Sequence, residues 1–141
     1  MSMLNDRARE QVRGALEEMA EPVRLVFFEQ TLNCETCPEA RALVQEVADL
    51  SDMVTLETYN VLVDKEKAKE FSVEAAPVLA VVGKKDYGIR FYGTPSGYEF
   101  SVLIETIRDV SNGVVPLSEE TFEALKAVTS PVHLRVFVTP T

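Results

Sequence analysis

The chain has 141 residues, 46% of them hydrophobic, so it can bury one core of ordinary size without structural metal or stabilising disulfides. Its 23 acidic and 14 basic residues give a formal net charge of -9 with no dense Lys/Arg cluster, which excludes a nucleic-acid-binding protein. No apolar run approaches the length of a membrane span, and the charged N-terminus lacks the apolar region of a signal peptide, so we expect a cytoplasmic protein without membrane contact.

The first half of the chain alternates between helical and strand patterns. Apolar residues over 4–19 recur at helical spacing, which predicts an amphipathic helix that ends before Glu21-Pro22. The short apolar run Val23–Glu29 is typical of a buried central strand. Pro38 suits the first turn of a helix whose apolar face extends over 40–50.

Further along, 53–61 alternates as a strand, and Asp64 opens a short, charged, exposed helix. Residues 77–82 and 87–92 flank the turn sequence GKKD, which predicts an antiparallel hairpin. A helix with an apolar face follows over 100–110, with Asn112-Gly113 as its C-cap.

The last segment contains a predicted helix, LSEETFEALKAV, with Ser118 and Thr121 as alternative caps. The alternating residues 132–138 then predict a strand. We therefore divide the chain into a first domain over 1–113, a linker helix over 114–130, and the first strand of a second unit over 131–141.

The order strand, helix, strand, helix, strand, strand, helix over 23–112 is the thioredoxin topology. The expected fold class is therefore α/β and thioredoxin-like, with a central mixed sheet of about four strands and helices on both faces. The N-terminal helix, the linker helix and the C-terminal strand are additions to this fold.

Cys34 and Cys37 of the motif CETC are the only cysteines. A pair this close excludes a multi-bridge secreted scaffold and leaves redox chemistry or metal binding. Between a strand and a helix N-terminus, Cys34 is expected to be the nucleophile and Cys37 the residue that resolves a mixed disulfide. The alternatives are inert core thiols or a zinc half-site, although only the solitary His133 could add an imidazole ligand, and we expect no metal.

Three charged residues near the motif are candidates for influencing the ionisation of its two cysteines. Glu35 places a negative charge beside Cys34, which disfavours the thiolate and predicts a weaker oxidant, and Arg41 is the nearest cation in sequence. Glu29 ends the first strand and either accepts the proton of Cys37 or lies in solvent.

In the thioredoxin fold that this order of elements resembles, a cis proline at the start of the third strand packs beside the disulfide. The resemblance implies that Ala76-Pro77 has this role, since X-Pro is the bond type in which the cis form costs little. The backbone of Ala76 would then bind an extended substrate strand.

The whole chain resembles the two-unit protein disulfide oxidoreductases of thermophilic archaea and bacteria, also called glutaredoxin-like proteins. The resemblance is carried by the N-terminal helix and by the segments FFEQ leading to NCETC, KDYGIRFYGTPSGYEF, LSEETFEALKAV and VHLRVFVTPT. It implies an N-terminal unit followed by the first elements of a second unit, an excised fragment of a longer protein. The N-terminal region of bacterial peroxiredoxin-reducing flavoproteins is similar too, but in those its working CxxC lies in the second half.

The first hypothesis is accordingly an enzyme that reduces, forms or isomerises protein disulfides through its redox-active CxxC pair, with no other cofactor. The second is a redox module that docks a thioredoxin-reductase-like flavoprotein or a peroxiredoxin. The third is glutathione-dependent or iron–sulfur glutaredoxin chemistry. The apolar face of 132–138 also predicts weak self-association, because unpaired strands tend to pair with a neighbouring chain.

Overall fold

The computed structural model describes residues 2–139 and has four strands and five helices in that range. No helix among them is long and apolar enough to cross a membrane. The expected final segment 131–141 ends in Pro140 and Thr141, which lie outside the described residues. In chain order the elements are α1 (Asp6–Leu16), β1 (Val23–Glu29), α2 (Cys37–Ala48), β2 (Val54–Asn60), α3 (Lys65–Glu70), β3 (Val78–Val82), β4 (Asp86–Tyr92), α4 (Tyr98–Asn112) and α5 (Glu119–Leu125).

The strands form one mixed sheet in the order β2-β1-β3-β4, with the hairpin strand β4 at an edge as predicted. β1 and β2 are parallel, and Glu29 pairs with Asn60. β3 runs antiparallel to both β1 and β4, and Val78 is paired with Phe28 on one side and Tyr92 on the other. β1, β2 and β4 therefore end, and β3 begins, at one end of the sheet, which we call the upper end.

β1 is buried on both faces of the sheet, so the predicted helices on both sides are confirmed. Phe27 points into a core formed with α1, α2 and α4, and Phe28 points into a second core covered by α3. The two rings are fully buried. Successive strand residues face opposite sides, which explains why this strand carries apolar residues without alternation.

Some helix boundaries differ from the sequence prediction. α1 begins after Asn5, whose side-chain oxygen accepts a hydrogen bond from the Ala8 N–H at 2.8 Å, and it ends at Leu16 rather than near Met19. Met19 still packs against the first core from outside the helix. Asp64 is the N-cap residue of α3, as expected, but its side chain makes no capping hydrogen bond, because its carboxylate accepts from the Asn60 N–H at 2.7 Å and closes a turn instead.

The caps of the last two helices follow the sequence closely. Gly113 ends α4 in the left-handed conformation, with φ 64°, which favours glycine. Ser118 is the N-cap of α5, since its hydroxyl accepts a hydrogen bond from the Thr121 N–H at 3.1 Å. Thr121 is therefore inside the helix and does not cap it.

Residues 113–139 lie exposed outside the two cores. The structure shows no regular secondary structure over 131–139, so the predicted strand is not formed there. The side chains of Leu134, Val136 and Phe137 are 84%, 83% and 89% exposed. Because no neighbouring strand supplies backbone partners, the alternating sequence alone does not produce a strand.

Glu46 on α2 holds the N-terminal segment against the body. Its carboxylate accepts hydrogen bonds from the backbone N–H groups of Met3 and Leu4, from the Ser2 hydroxyl and from Arg9, whose Nη2 lies 3.0 Å away. Burial raises the pKa of Glu46, but these donors together outweigh it and lower the pKa below its usual value.

We expect Glu46→Gln to lower the free energy of unfolding at pH 7 by about 1 kcal/mol, because the charge-assisted hydrogen bonds weaken. Because folding lowers the pKa of Glu46, its carboxylate stabilises the folded state at pH values above its unfolded pKa of about 4.3. This contribution is lost as the pH falls through the pKa of the folded state. Urea unfolding at pH 7 measures the loss of stability, and urea unfolding at pH 3 measures how far that loss decreases when the carboxylate is protonated. Exposed Glu17→Gln is the control. An equal loss at the two pH values would contradict the assignment.

Candidate redox site

Cys34 and Cys37 form a disulfide at the upper end of the sheet, with their Cα atoms 5.4 Å apart. Cys37 is the first residue of α2, while Cys34 lies in the preceding turn, three positions earlier. The Cys37 N–H donates to the Cys34 carbonyl at 3.4 Å and closes that turn. The helix therefore begins at Cys37, one residue before Pro38, where the sequence predicts its first turn.

The two sulfur-bearing residues differ in exposure, as the sequence predicted. Cys37 is 3% exposed and belongs to the buried face of α2, whereas Cys34 is partly exposed. An approaching protein can therefore reach Cys34 more readily than Cys37. This asymmetry matches the division between an attacking and a resolving cysteine.

The loop before Cys34 is held by contacts that the sequence analysis missed. Asn33 adopts a left-handed conformation, with φ 59°, which asparagine tolerates better than most residues. The side-chain amide of Gln30 donates to the carbonyls of Leu32 and Asn33, at 2.7 and 3.4 Å. The asparagine directly before the motif was the one available sequence signal for this turn.

A shallow depression of about 670 Å³ opens beside the disulfide, and Glu29 and Arg41 both line it. Arg41 Nη1 lies 3.1 Å from Glu29 Oε1, so the candidate proton acceptor is ion-paired and not simply solvated at the strand end. Glu35 is exposed and makes no ion pair with any of the residues 2–139. The remaining lining residues are Gln30, Thr31, Cys34, Cys37, Pro38, Ala42 and Gln45.

Ala76 and Pro77 precede β3 at the upper end, and the peptide bond between them is cis, as expected from the sequence. Because Val78 pairs with Phe28, Pro77 lies at the sheet end where β1 leads into the cysteine loop. Pro77 is buried, and its carbonyl accepts from the Gly93 N–H at 3.0 Å. Across residues 2–139, no hydrogen bond occupies the backbone N–H or C=O of the half-exposed Ala76.

Exposed apolar side chains cluster around the same end of the sheet. The loops there, together with the end of β4 and the start of α4, expose five of them: Leu32 (72%), Leu62 (59%), Val63 (76%), Tyr92 (62%) and Tyr98 (78%). Elsewhere within 2–113 only Tyr87 and Val102 are comparable. We call these five residues the apolar ring, a feature that periodicity could not reveal because each lies in a loop or at the end of an element.

The residues considered for zinc are not assembled into a site. Within 2–139 no group of three or more His, Cys, Asp or Glu side chains is placed to hold a metal ion. His133 is exposed in the C-terminal segment, where its Nε2 accepts from Arg135 Nε at 3.4 Å.

Known proteins place this fold and site in a family. A probable thioredoxin of Methanothermobacter thermautotrophicus is 36% identical over 77 residues, which cover 54% of this chain and 82% of that protein. A protein disulfide oxidoreductase from Aeropyrum pernix superposes with a TM-score of 0.78 at 30% identity, over 90% of this chain and 56% of that one.

An alkyl hydroperoxide reductase protein of Staphylococcus epidermidis is 26% identical over 140 residues, or 99% of this chain, which thus spans only 25% of that protein. No family model matches the chain. The match to the thioredoxin of Methanothermobacter thermautotrophicus is the decisive one, because at 36% identity it extends over 82% of that relative. On this ground the chain belongs to the thioredoxin family of thiol–disulfide oxidoreductases.

Proposed function

We propose that the protein exchanges disulfides with other proteins through Cys34 and Cys37. The observation that carries this proposal is the linked pair itself, with one cysteine partly exposed and the other buried, at the same end of the sheet as the apolar ring. Exposed apolar groups around a reactive atom favour a protein surface as partner over a small polar solute.

In the reducing direction, the Cys34 thiolate attacks one sulfur of the substrate disulfide, and the other substrate sulfur leaves as a thiolate. The Cys37 thiolate then attacks the Cys34 sulfur of the mixed disulfide and releases the second substrate thiolate. Two electrons pass to the substrate, and the Cys34–Cys37 bond seen in the structure is formed. The oxidising direction is the reverse sequence, and an external dithiol or disulfide restores the starting state.

Ala76 is the proposed docking point for the substrate backbone. Its N–H and C=O have no partner among residues 2–139, and it precedes buried Pro77 at the sheet end that carries Cys34. An extended substrate segment can pair with these two groups, as a strand does when it adds to a sheet. Such pairing holds the substrate without selecting its side chains.

Glu29 and Glu35 are the proposed tuning residues. The Glu29 carboxylate, ion-paired with Arg41, lines the same depression as buried Cys37, where it can accept the thiol proton before the resolving step. Glu35 adds a negative charge between the cysteines and disfavours the Cys34 thiolate. The effect of Glu35 supports a pair that reduces substrates more readily than it oxidises them.

Turnover of a small protein disulfide tests the function. With dithiothreitol as the electron source, the chain should accelerate reduction of insulin, and the two cysteine variants argued in the Discussion are its matched controls. A measured reduction potential of the Cys34–Cys37 couple then assigns the direction, because oxidants and reductants of this kind differ by more than about 100 mV. No acceleration over dithiothreitol alone would refute the proposal.

A second candidate function is a redox module that docks a flavoprotein reductase or a peroxiredoxin. It is favoured by the match to the alkyl hydroperoxide reductase protein of Staphylococcus epidermidis, which extends over 99% of this chain. We further propose that the protein works in the cytoplasm, where thiols are kept reduced, and needs no cofactor besides its own disulfide.

For the domain organisation, we propose that 1–113 is the redox unit, 114–130 the connecting helix, and 131–141 a strand that pairs only with a partner. Val132, Leu134 and Val136 alternate in the sequence and are at least 65% exposed. Apolar area of this kind, together with unpaired backbone, favours association with another chain.

Sedimentation velocity of this chain and of a version ending at Ser130 checks the proposed self-association. We expect concentration-dependent association in the longer form only, and weak enough to require high concentration, because ordering the segment offsets much of the burial. Equal behaviour of the two forms would show that 131–141 is not the interface.

A further inference from the structure

We propose that Arg90 is a positioning residue, which fixes the loop that carries Ala76 and so determines how tightly a substrate strand docks there. This inference rests on the proposed function, in which Ala76 binds the substrate backbone, and it adds a residue that acts through the loop rather than on the reacting sulfur atoms. Arg90 lies on β4, in the segment KDYGIRFYG, to which the redox chemistry of the cysteines assigns no role. The loop is 71–77, between α3 and β3.

The loop 71–77 is attached at both of its ends to β4 and the residue that follows it. At the first end, Arg90 donates from Nε and Nη2 to the Phe71 carbonyl, at 3.2 and 3.0 Å. At the second end, the Gly93 N–H donates to the Pro77 carbonyl at 3.0 Å. Between these ends, the backbone of 74–76 makes no hydrogen bond to any of the residues 2–139. Hydrogen bonds therefore fix the stretch that contains Ala76 only from its two ends.

Arg90 is itself held in one orientation. Its Nη1 and Nη2 lie 2.8 and 2.6 Å from the two carboxylate oxygens of Asp86, which also accepts from the Gly88 N–H at 2.9 Å. The Arg90 side chain is only 13% exposed. Its hydrogen bonds to Asp86 lower the pKa of that carboxyl, which keeps the pair ionised at neutral pH. Because a two-point ion pair fixes the plane of the guanidinium, Nε and Nη2 stay directed at the Phe71 carbonyl.

Phe71 connects Arg90 to the strand that leads to the cysteines. Its buried ring has its centroid 5.4 Å from the Arg90 guanidinium carbon and 5.7 Å from the ring centroid of Phe28. Phe28 precedes the last residue of β1 and pairs with Val78, the first residue of β3. Arg90 therefore places the start of the loop relative to β1, whose end leads into the cysteine loop.

The alternative role for Arg90 is to stabilise the fold and nothing more. It pairs with Ala80 of β3, and removing one partner of a largely buried ion pair destabilises a protein. The two roles differ in what they predict for substrates. A residue that only stabilises affects all disulfides alike, whereas a positioning residue affects those whose backbone pairs with Ala76. A small disulfide without a peptide backbone reaches Cys34 with no such pairing.

Reduction of insulin and of hydroxyethyl disulfide, a small neutral disulfide, tests the proposal. In Arg90→Met we expect the KM for insulin, with dithiothreitol as the electron source, to rise roughly tenfold while kcat changes by less than about twofold. Single-turnover reduction of hydroxyethyl disulfide by the pre-reduced chain should stay within about twofold of the wild-type rate, because the chemistry of Cys34 is unchanged. Asp86→Asn keeps Arg90 but weakens its orientation, so it should raise the KM by a smaller factor.

Arg24→Met is the matched control for the loss of a paired cation. Arg24 forms the same kind of two-point ion pair with Glu57, at 2.7 and 3.1 Å. It lies near the start of β1, and within 2–139 its side chain donates hydrogen bonds to Glu57 alone. The variant removes the same charge without touching the attachment of 71–77, so its KM for insulin should equal that of the wild type.

The outcomes separate this inference from the function on which it rests. If the wild-type chain does not accelerate insulin reduction, the proposed function fails and the inference with it. If Arg90→Met raises the KM no more than Arg24→Met does, or slows both disulfides equally, the function stands and the positioning role is wrong. If circular dichroism shows that Arg90→Met does not fold, Asp86→Asn decides by the same two comparisons.

Discussion

Replacing Cys34 with serine should reduce turnover of a protein disulfide by roughly 10³-fold or more, the scale of loss seen when a nucleophile is removed. A serine hydroxyl neither attacks sulfur at a useful rate nor forms the mixed disulfide. The variant should keep its fold, because Cys34 is partly exposed in a turn and contributes little to either core. Insulin reduction measures the activity, and circular dichroism checks the fold.

Cys37→Ser should behave differently although it is equally inactive in multiple turnover. With Cys34 intact and no resolving thiol, the first substrate molecule should remain attached, and mass spectrometry should find a mixed disulfide at Cys34. Alkylation of the reduced wild-type chain gives an independent check, since partly exposed Cys34 should be labelled before Cys37, which is 3% exposed. Trapping at Cys37, or faster labelling there, would reverse the assignment.

The sequence predicts those parts of the fold in which local pattern and burial agree. The bounds Val23–Glu29 follow from an apolar run between Pro22 and polar residues, and the structure confirms them. Gly113 and Ser118 mark helix ends because only a few residue types satisfy those backbone positions. The cis Ala76-Pro77 bond is implied by the resemblance to the thioredoxin fold, and the greater exposure of Cys34 is expected from its position before the helix.

The remaining features depend on which residues meet across the fold, which no local pattern encodes. Arg41 was noted only as a neighbour in sequence, whereas the structure pairs it with Glu29, twelve positions earlier on another element. The apolar ring combines Leu32, Leu62 and Tyr98, which follow three different strands and lie at one end of the sheet because the register aligns the strand ends. Asp64 is at the predicted N-cap position of α3, but the turn after β2 uses its carboxylate, so the side chain does not cap the helix.

The C-terminal segment is a case in which a strand-like sequence pattern does not produce a strand. Val132, Leu134 and Val136 alternate as strand residues do, yet the structure gives 131–139 no regular structure. Strand formation is decided by backbone partners and burial, and neither is available to this segment within the described chain. A periodicity of two therefore indicates a strand only where a neighbouring strand exists.

The largest expected loss of stability follows from the central position of β1. Phe27 is fully buried, its residue is paired with Thr58 of β2 and Leu79 of β3, and its ring lies in the core that α1, α2 and α4 cover. We expect Phe27→Ala to lower the free energy of unfolding by about 3–5 kcal/mol, from lost apolar burial and the cavity left behind. A domain of this size has only about 5–15 kcal/mol in total.

Urea unfolding of the oxidised protein measures this loss, and Leu32→Ala is the matched control. Leu32 is 72% exposed in the cysteine loop, so its truncation should change stability by less than about 0.5 kcal/mol while it removes one member of the apolar ring. The two variants thus separate the core that positions the disulfide from the surface that surrounds it. A loss below about 1 kcal/mol for Phe27→Ala, or a comparable loss for both variants, would show that the core around β1 is not packed as described.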